Sequence, residues 1–414
     1  MNETIEELEQ YAVDVILGRR RGVRAFFLRG VLHGLSKVFT GLVSIRLRLY
    51  RKRLLREHNL GTMVISVGNL TVGGTGKTPV VEMLARSLNQ GGCSVAILSR
   101  GYKSEKPSAE ELRRLQSERR ARRKRHRVAD PWQAALEDDD KEPPRVVSDG
   151  RRLLLDSRAA GDEPFMLAVN VPDVPVVVDK DRVKAGRYAV RHFGADVLVL
   201  DDGLQYLKLR RRLDIVLVDR QQPFGNEHML PRGTLREPPR NLRRAHYILI
   251  TKCDGRPNDE LKRRLRQYNR TAEIIECRHA PLYLQNLLTG QQVALSTLRG
   301  KHVGALSAIA APESFEHGLR RLGAKIEATQ RFADHHRFSP RQIHQFINRC
   351  VNRDVDFIVT TEKDAVRFPP LEDPDVPVYF LRMEIEILAG HEAWQRCVDL
   401  VCKPPPYEPL ARVG

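Results

Sequence analysis

Residues 63–79 read MVISVGNLTVGGTGKTP, and this stretch decides the fold. Its first residues are apolar and rich in β-branched side chains, which predicts a short buried strand. The glycine-rich run GGTGKT at 73–78 follows, and Pro79 suits the first turn of a helix, where a missing N–H costs nothing. A strand, a glycine-rich turn and a helix in this order predict a phosphate-binding loop.

This loop carries the groups that a nucleoside triphosphate requires. Backbone N–H groups and the helix N-terminus point at the phosphates, Lys77 reaches the β- and γ-phosphate oxygens, and the Thr78 hydroxyl is a ligand for Mg²⁺. Thr71 stands where the usual GxxxxGK[ST] spacing has its first glycine. A glycine-rich turn without a ligand is the alternative. The expected binding residues are Thr71, Val72, Gly73, Gly74, Thr75, Gly76, Lys77 and Thr78.

A second apolar run ends in two acids. Val197–Leu200 predict a buried strand, and Asp201 and Asp202 follow it directly. P-loop enzymes use an acid at the carboxyl end of a strand to hold Mg²⁺ opposite the Lys-Thr pair. Together with the loop at 73–78, the two acids therefore predict a metal position. A strand that simply ends in two solvated acids is the alternative.

Strand patterns and helical stretches alternate along the rest of the chain. Residues 95–98, 174–178 and 213–219 are apolar runs of strand length. We therefore expect an α/β fold: a P-loop NTPase-type α/β/α sandwich with a second, smaller α/β domain and an N-terminal amphipathic helix. Arg100 follows the first of these strands in SRGY, where it is placed to meet phosphate or substrate, although a surface arginine is the alternative.

Composition limits the partners. The 414-residue chain has 70 Lys and Arg against 52 Asp and Glu, a net charge of +18 that suits nucleic acid, an anionic membrane surface or a phosphorylated substrate. Its six cysteines contain no C-x-x-C pair, which argues against a zinc site or a disulfide framework and for a reducing compartment. The acidic N-terminus predicts no signal peptide.

Residues 23–50 have the pattern of a long amphipathic helix. Leu28, Val31, Leu32, Leu35, Val38, Phe39, Leu42 and Val43 share one face, and arginines cluster at the C-terminal end. Charges recur too often for a transmembrane span. A basic helix in the membrane interface and a helix packed on the protein's own core are both open.

The chain divides into regions of different character. We expect an amphipathic region at 1–60, a P-loop core at 61–220, a second α/β domain at 221–390 and a C-terminal segment at 391–414. A charged insertion at 103–144 has almost no apolar periodicity and is expected to be solvated.

With these motifs in place, the chain resembles the tetraacyldisaccharide 4'-kinases, the lipid A 4'-kinases of Gram-negative bacteria. The resemblance covers about residues 25–370, and the insertion at 103–144 departs from the family's compact pattern. The matching motifs, in the family's order, are VGNLTVGGTGKTP, SRGY, VVSDG, GDEP, VDKDR, DDGLQ, LPRGTLREP, DHHRF and TTEKDAVRF.

The resemblance implies a membrane-associated kinase. With ATP and Mg²⁺ it would phosphorylate the 4'-hydroxyl of a tetraacylated glucosamine disaccharide 1-phosphate. It implies two α/β/α domains and a peripheral position on the cytoplasmic face of the inner membrane of a Gram-negative bacterium. The expected partners are the acylated disaccharide lipid and the anionic membrane surface, with no nucleic acid and no obligate protein partner.

The resemblance also assigns roles to individual residues. Asp162 in GDEP is the expected general base, and His335 pairs with it. His336 is set aside because the family pattern places the functional histidine directly after Asp334. The remaining assignments are Glu237 beside Asp201 and Asp202 at the metal, Glu163 near the nucleotide, and Arg100, Arg182 and Arg236 at the γ-phosphate or the substrate phosphate.

Two other functions fit parts of the sequence. Thr251, Lys252 and Asp254 resemble the guanine-reading element of P-loop GTPases, but a similar run at 359–368 indicates a common way in which strands end here. No D-x-x-G switch element follows the acidic strand, because DDGL places its glycine one residue early. A nucleic-acid-stimulated ATPase that uses the basic insertion is the second alternative.

Overall fold

The structure is a computed structural model, and it describes residues 11, 14–16, 20, 22–102, 104, 143–371 and 373–403. The charged insertion at 103–144 and the C-terminal tail after residue 403 lie almost wholly outside these described residues. The expectations for both segments therefore stay predictions.

Helices and strands alternate along the described chain. The helices are α1 Val23–Arg51, α2 Lys77–Gln90, α3 Ser157–Ala160, α4 Asp162–Asn170, α5 Arg182–Phe193, α6 Asp259–Tyr268, α7 Pro312–Arg321, α8 Pro340–Val351, α9 Glu362–Ala365 and α10 His391–Cys402, with 3₁₀ helices at Pro239–Arg244 and Leu295–Leu298. The strands are β1 Met63–Asn69, β2 Val95–Ser99, β3 Arg145–Asp149, β4 Pro175–Val178, β5 Val197–Asp201, β6 Leu213–Asp219, β7 Tyr247–Thr251, β8 Glu273–Asn286, β9 Gln292–Val293, β10 His302–Ser307, β11 Lys325–Arg331, β12 Phe357–Thr361 and β13 Val378–Ala389.

Two compact units share these elements, and both are discontinuous in sequence. Unit 1 comprises Met1–Cys93, Asp196–His279 and Ile385–Gly414, and unit 2 comprises Ser94–Ala195 and Ala280–Glu384. The regions expected from sequence were contiguous, with a boundary near residue 220. The difference arises because composition changes along the chain, whereas a compact unit is defined by contacts between distant segments.

Unit 1 is built on a parallel array of strands in the order β8–β7–β6–β1–β5. β1, β5, β6 and β7 are almost entirely buried, as in sheets that are covered on both faces. Helix α2 packs on β1 and β5, and α10 packs on α2. The predicted α/β class with a P-loop-type core is confirmed.

Close packing brings the ends of β1 and β5 together in unit 1. A β-carbon on Gly68 would lie 2.6 Å from Leu204 Cβ, and one on Gly203 would lie 2.5 Å from Leu200 Cβ and 2.9 Å from Ser66 Oγ. Neither position has room for a side chain. This close packing explains why the DDGLQ motif carries a glycine.

Unit 2 contains two groups of strands with their own helices. β2 and β4 are parallel and β3 joins β4 antiparallel, while β11, β10, β12 and β13 form a parallel run. Helix α8 begins with a capping box between Ser339 and Gln342 and buries Ile343, Phe346 and Ile347 at helical spacing. These side chains join one of the cores beside the parallel run.

The long helix α1 belongs to unit 1 and turns a polar side toward it. Ser36 is buried, and its hydroxyl donates to the Met229 carbonyl oxygen at 2.9 Å. Eight large apolar side chains are exposed by 51–74%: Val23, Phe26, Phe27, Val31, Leu35, Val38, Leu42 and Ile45. Of the face predicted from sequence, Val31, Leu35, Val38 and Leu42 are exposed, whereas Phe39 packs against a core cluster of unit 1, so the helix packs on the protein's own core only in part. By length and composition alone, α1 is apolar enough to cross a membrane.

One pair of cysteines contradicts the expectation that the cysteines form no disulfides. Cys93, after α2, and Cys402, at the end of α10, form a disulfide with Cα atoms 5.7 Å apart. The two lie 309 positions apart, so spacing gave no sign of the pair. Cys253, Cys277, Cys350 and Cys397 are buried thiols.

We expect Gly203→Ala to lower the free energy of unfolding by about 1–3 kcal/mol, because the added methyl group overpacks the contact with Leu200 and Ser66. Gly34→Ala is the matched control: it lies inside α1 with nothing within 4 Å of the new β-carbon, and should raise stability by up to about 1 kcal/mol. Urea unfolding measures both. Equal stability of the two variants would contradict the packing argument.

Candidate active-site residues

The glycine-rich loop of unit 1 connects β1 to α2. Gly76 has a left-handed backbone with φ 83° and precedes Lys77, the first residue of the helix. Because Gly76 has no side chain, no capping oxygen from it occupies the first N–H groups of α2. Thr78 stands in the same first turn. This is the arrangement in which P-loop proteins bind phosphate.

Asn69 connects the loop to its surroundings, and sequence reasoning gave it no role. It is fully buried at the end of β1, and its Nδ2 donates to Thr75 Oγ1 at 2.8 Å. Its Oδ1 accepts from Lys77 Nζ at 3.4 Å. Its carbonyl oxygen accepts from Gln205 Nε2 at 3.1 Å and from Arg236 Nη2 at 3.2 Å. The sequence signal for this role was the position of a polar residue at the end of an apolar strand.

The two acids after β5 have different surroundings. Asp201 is 3% exposed, whereas Asp202 has φ 52° and a side chain that is 38% exposed. Both oxygens of Asp202 accept from Arg236 at 2.8 Å, and Lys77 Nζ lies 3.8 Å away. Asp202 therefore pairs with Arg236 and lies close to Lys77.

Glu237 is buried in a hydrogen-bond network. Its carboxylate accepts from Gln205 Nε2 at 3.2 Å, Asn241 Nδ2 at 2.7 Å and Arg244 Nη2 at 2.8 Å. Three donors occupy it, so this geometry fits a positioning role better than direct metal ligation.

Thr251 and His279 also contact the loop. Thr251 Oγ1 donates to the Thr75 carbonyl oxygen at 2.9 Å. The His279 ring lies against Gly76, where a β-carbon would come within 2.6 Å of Nε2. Burial, and then the charge of Lys252, lowers the pKa of His279 and favours the neutral ring. A glycine at position 76 is thus required both by φ and by His279.

The charged residues of the Thr-Lys-Cys-Asp run at the end of β7 are already paired. Lys252 Nζ lies 2.6 Å from Asp219 Oδ2, and Asp254 Oδ2 accepts from Arg220 Nη1 at 2.9 Å. The carboxylate that would read guanine in a GTPase is therefore bonded to an arginine.

In unit 2, Asp162 stands at the start of α4 and is 7% exposed. Oδ2 accepts from Arg367 Nε at 2.8 Å and from His335 Nδ1 at 3.1 Å, and Oδ1 accepts from Arg337 Nη2 at 3.2 Å. Burial of Asp162 opposes ionisation, but these donors outweigh it and hold the pKa below its ordinary value. The predicted carboxylate and imidazole are in contact.

His335 is held in a fixed orientation. Its backbone has φ 67°, and its N–H donates to the Ala308 carbonyl oxygen at 3.2 Å. Nδ1 faces Asp162, and Nε2 lies 3.2 Å from Lys363 Nζ. We assign the proton to Nδ1, because Nε2 can then accept from the ammonium group; the other neighbour of Nδ1, Arg367 Nη2 at 3.3 Å, is then a close contact and not a hydrogen bond.

A buried arginine anchors this cluster. Arg367 is 3% exposed, and its Nη1 donates to Asp364 Oδ1 at 3.0 Å while its Nε donates to Asp162. Arg367 lies in the TTEKDAVRF motif and Arg337 in the DHHRF motif, but the sequence alone assigned no role to either arginine. The hydrogen bond from His335 and the positive charges of these two arginines together keep Asp162 ionised.

The remaining predicted residues of unit 2 lie on different elements. Arg100 is exposed after β2, Glu163 is partly exposed in the first turn of α4, and Arg182 is buried at the start of α5 with Nη1 3.3 Å from the Lys180 carbonyl oxygen. His336 stacks on Phe332 with ring centroids 4.6 Å apart, a packing role that agrees with setting it aside.

A divalent cation has few protein ligands available here. Within the described part of the chain, no group of three His, Cys, Asp or Glu side chains is arranged to hold a metal ion. Mg²⁺ commonly binds through one or two protein oxygens together with waters and substrate phosphates. The Thr78 hydroxyl and the buried Asp201 carboxylate fit that limited requirement.

We expect the ionised Asp162 to stabilise the fold above its unfolded pKa of about 3.9 and to lose this contribution as the pH falls through its lower folded pKa. The free energy of unfolding of the wild type should therefore exceed that of Asp162→Asn most near neutral pH, and the difference should shrink in acid. Urea unfolding at a series of pH values measures it.

Asp354→Asn is the control for this pH series, because it removes a carboxylate at an exposed turn. A difference between wild type and Asp162→Asn that stays constant with pH, or that matches the control, would rule out the stabilising role.

Comparison with known proteins identifies the family. The family model for tetraacyldisaccharide-1-P 4'-kinase (LpxK) matches residues 28–123 and 137–402. The tetraacyldisaccharide 4'-kinase of Halothermothrix orenii is 33% identical over 399 residues, covering 92% of this chain and 95% of the relative. That of Anaeromyxobacter dehalogenans is 38% identical over 335 residues, covering 80% and 79%.

A solved structure is also similar. The crystal structure of LpxK from Aquifex aeolicus, described as a complex with ATP, has a TM-score of 0.67 and 26% identity, and the match covers 90% of this chain and 99% of that one. The chain therefore belongs to the tetraacyldisaccharide 4'-kinase family of lipid A biosynthesis, and it is a phosphotransferase.

Proposed function

We propose that this kinase transfers the γ-phosphoryl group of ATP to the 4'-hydroxyl of a tetraacyl glucosamine disaccharide 1-phosphate and so forms the bisphosphorylated lipid A precursor. The observation that carries this proposal is the GGTGKT loop at the start of α2, with Lys77 beside Asp202 and Asn69. The family names the acceptor, and the loop geometry supports the donor.

The nucleotide half of the reaction depends on unit 1. The N–H groups of residues 71–78 bind the β- and γ-phosphates, and Lys77 neutralises the charge that develops between them. Mg²⁺ at Thr78 and Asp201 would neutralise phosphate charge when it is bound. Arg236, held by Asp202, points its guanidinium at the same end of the strands.

The acceptor half depends on Asp162. Its Oδ1 has one donor, Arg337 at 3.2 Å, whereas Oδ2 has two, so Oδ1 is the oxygen that can receive the hydroxyl proton. A carboxylate of low pKa is a weak base, but a loose phosphoryl-transfer transition state needs the proton acceptor only late. His335 orients the carboxylate.

Two arginines of unit 2 supply further phosphate contacts. Arg100 and Arg182 are the proposed contacts for the γ-phosphate or for the substrate's own phosphate, and Glu163 supports the nucleotide. The planar guanidinium binds phosphate oxygens in pairs, which suits both tasks.

Helix α1 brings the enzyme to its lipid. Its exposed apolar residues fit the acyl region of a bilayer, and its arginines fit anionic headgroups. Contacts from Ser36 to Met229 and from Arg46 to Gln205 hold this segment against unit 1, which favours a helix in the interface over one that spans the bilayer. We propose a peripheral position on the cytoplasmic face of the inner membrane, without nucleic acid or an obligate protein partner.

The direct test supplies purified protein with ATP, Mg²⁺ and the tetraacyl disaccharide 1-phosphate and separates the lipid products. We expect a bisphosphorylated lipid. Lys77→Ala should lower kcat at least about a hundredfold because charge stabilisation is lost, and Asp162→Asn should lower it by about 10²–10⁴ because the proton acceptor is lost. Asp354→Asn should keep wild-type activity. Activity of the Asp162→Asn variant equal to this control would remove Asp162 as the base.

Nucleotide choice separates the kinase from a GTPase. Asp254 is paired with Arg220, so no free carboxylate at that position reads guanine, and we expect ATP to be preferred over GTP. The measurement is kcat/KM for lipid phosphorylation with each nucleotide. Preference for GTP, or hydrolysis that duplex DNA stimulates in the absence of lipid, would favour the alternatives.

A further inference from the structure

We infer that a cavity between α1 and the 3₁₀ helix Pro239–Arg244 binds the phosphate group of an anionic membrane phospholipid. This inference rests on the membrane association proposed above and adds a defined headgroup site to it. The cavity belongs entirely to unit 1.

The cavity has a strongly basic lining. Its volume is about 250 Å³, several times the roughly 30 Å³ that one water molecule occupies in the liquid, so it has room for a phosphate and its attached alcohol. The lining residues are Ser44, Leu47, Arg48, Arg51, Arg240, Asn241 and Arg243. Four are arginines and none of these seven described residues is acidic.

Among the residues that the structure describes, the arginines of the cavity have no acidic partners. Within the described ranges, Arg48, Arg51 and Arg243 form no ion pair, and Arg240 donates to the Ser44 hydroxyl at 3.2 Å. Guanidinium groups that share one cavity repel each other, and a phosphate with several acceptor oxygens relieves this repulsion through paired hydrogen bonds.

Two neighbouring arginines have partners outside the cavity. Arg46 donates to the Gln205 carbonyl oxygen at 3.0 Å, and Arg244 forms an ion pair with Glu237 at 2.8 Å. These two arginines fasten the walls of the cavity, and the four that line it face into it.

The walls are fixed before any ligand binds. The 3₁₀ helix is held by Asn241 and Arg244, which both donate to the buried Glu237. Helix α1 is held by Ser36 on Met229 and by Arg46 on Gln205. Because both backbones are anchored, little ordering is required when an anion binds.

The apolar face of α1 favours a lipid over a free anion. Leu42 and Ile45 are 61% and 52% exposed, and Ile45 precedes Arg48 by three positions, so the two share one face of the helix. A phosphate in the cavity would therefore lie at the end of an apolar stripe that suits the acyl chains of the same molecule.

The test titrates the full-length protein with dihexanoyl phosphatidylglycerol below its micellar concentration, using calorimetry. We expect saturable binding that weakens about tenfold or more in Arg48→Gln/Arg243→Gln, since each charge near an anionic lipid contributes about fivefold. The matched control is Lys52→Gln/Arg53→Gln, which removes the same charge just outside the cavity and should bind within about twofold of wild type.

Three further measurements separate the sources of phosphate. Dihexanoyl phosphatidylcholine and inorganic phosphate should bind much more weakly than the anionic lipid. In nonionic micelles free of phospholipid, the cavity variant should keep the wild-type KM for the acylated disaccharide. A raised KM there would assign the cavity to the substrate's own phosphate and overturn the inference, as would equally tight binding of inorganic phosphate.

Failure of this inference is distinguishable from failure of the proposed membrane association. Wild-type protein that binds phosphatidylglycerol vesicles but not the monomeric lipid would keep the association and overturn the cavity site. Equal losses of monomer binding in the cavity and control variants would reduce the effect to a diffuse positive field and would also overturn it. Protein that ignores vesicles altogether would reject the association itself.

Discussion

The phosphate-binding unit depends on the buried amide of Asn69. Its side chain holds Thr75 and Lys77 from the loop, and its carbonyl oxygen holds Gln205 and Arg236 from two other segments. A buried amide is costly unless its hydrogen bonds are made, so Asn69 ties the loop to one conformation. Close packing at Gly68 and Gly203 makes this possible, because side chains there would separate the strand ends.

The second constraint is electrostatic. A carboxylate as buried as Asp162 would normally become neutral, and it stays ionised here because Arg367, Arg337 and His335 donate to it. The same donors lower its basicity. A weakly basic carboxylate is sufficient for phosphoryl transfer, because positioning and charge neutralisation supply most of the rate enhancement. It would be a poor catalyst for a reaction that needs early proton removal.

The elements that could be predicted from sequence are those whose signal is local. The apolar strands β1, β5 and β6, the GGTGKT loop and the acids after β5 each follow from a few neighbouring residues. The pairing of Asp162 with His335 joins positions 173 apart and was available only through family resemblance. Arg367, Asn69 and the Cys93–Cys402 pair needed coordinates, because their partners are set by packing between distant segments.

The orientation of α1 argues that an apolar medium is part of its environment. Amphipathic helices in soluble proteins normally bury the apolar face, whereas this one buries Ser36 and exposes eight large apolar side chains. Burial of each such side chain is worth about 1.5–3 kcal/mol, so covering them would release on the order of 10 kcal/mol, comparable to the total stability of a typical domain. Insertion of this face into an apolar medium would gain that free energy, which is not gained while the face is in water. The adjoining arginines would favour an anionic surface for this insertion.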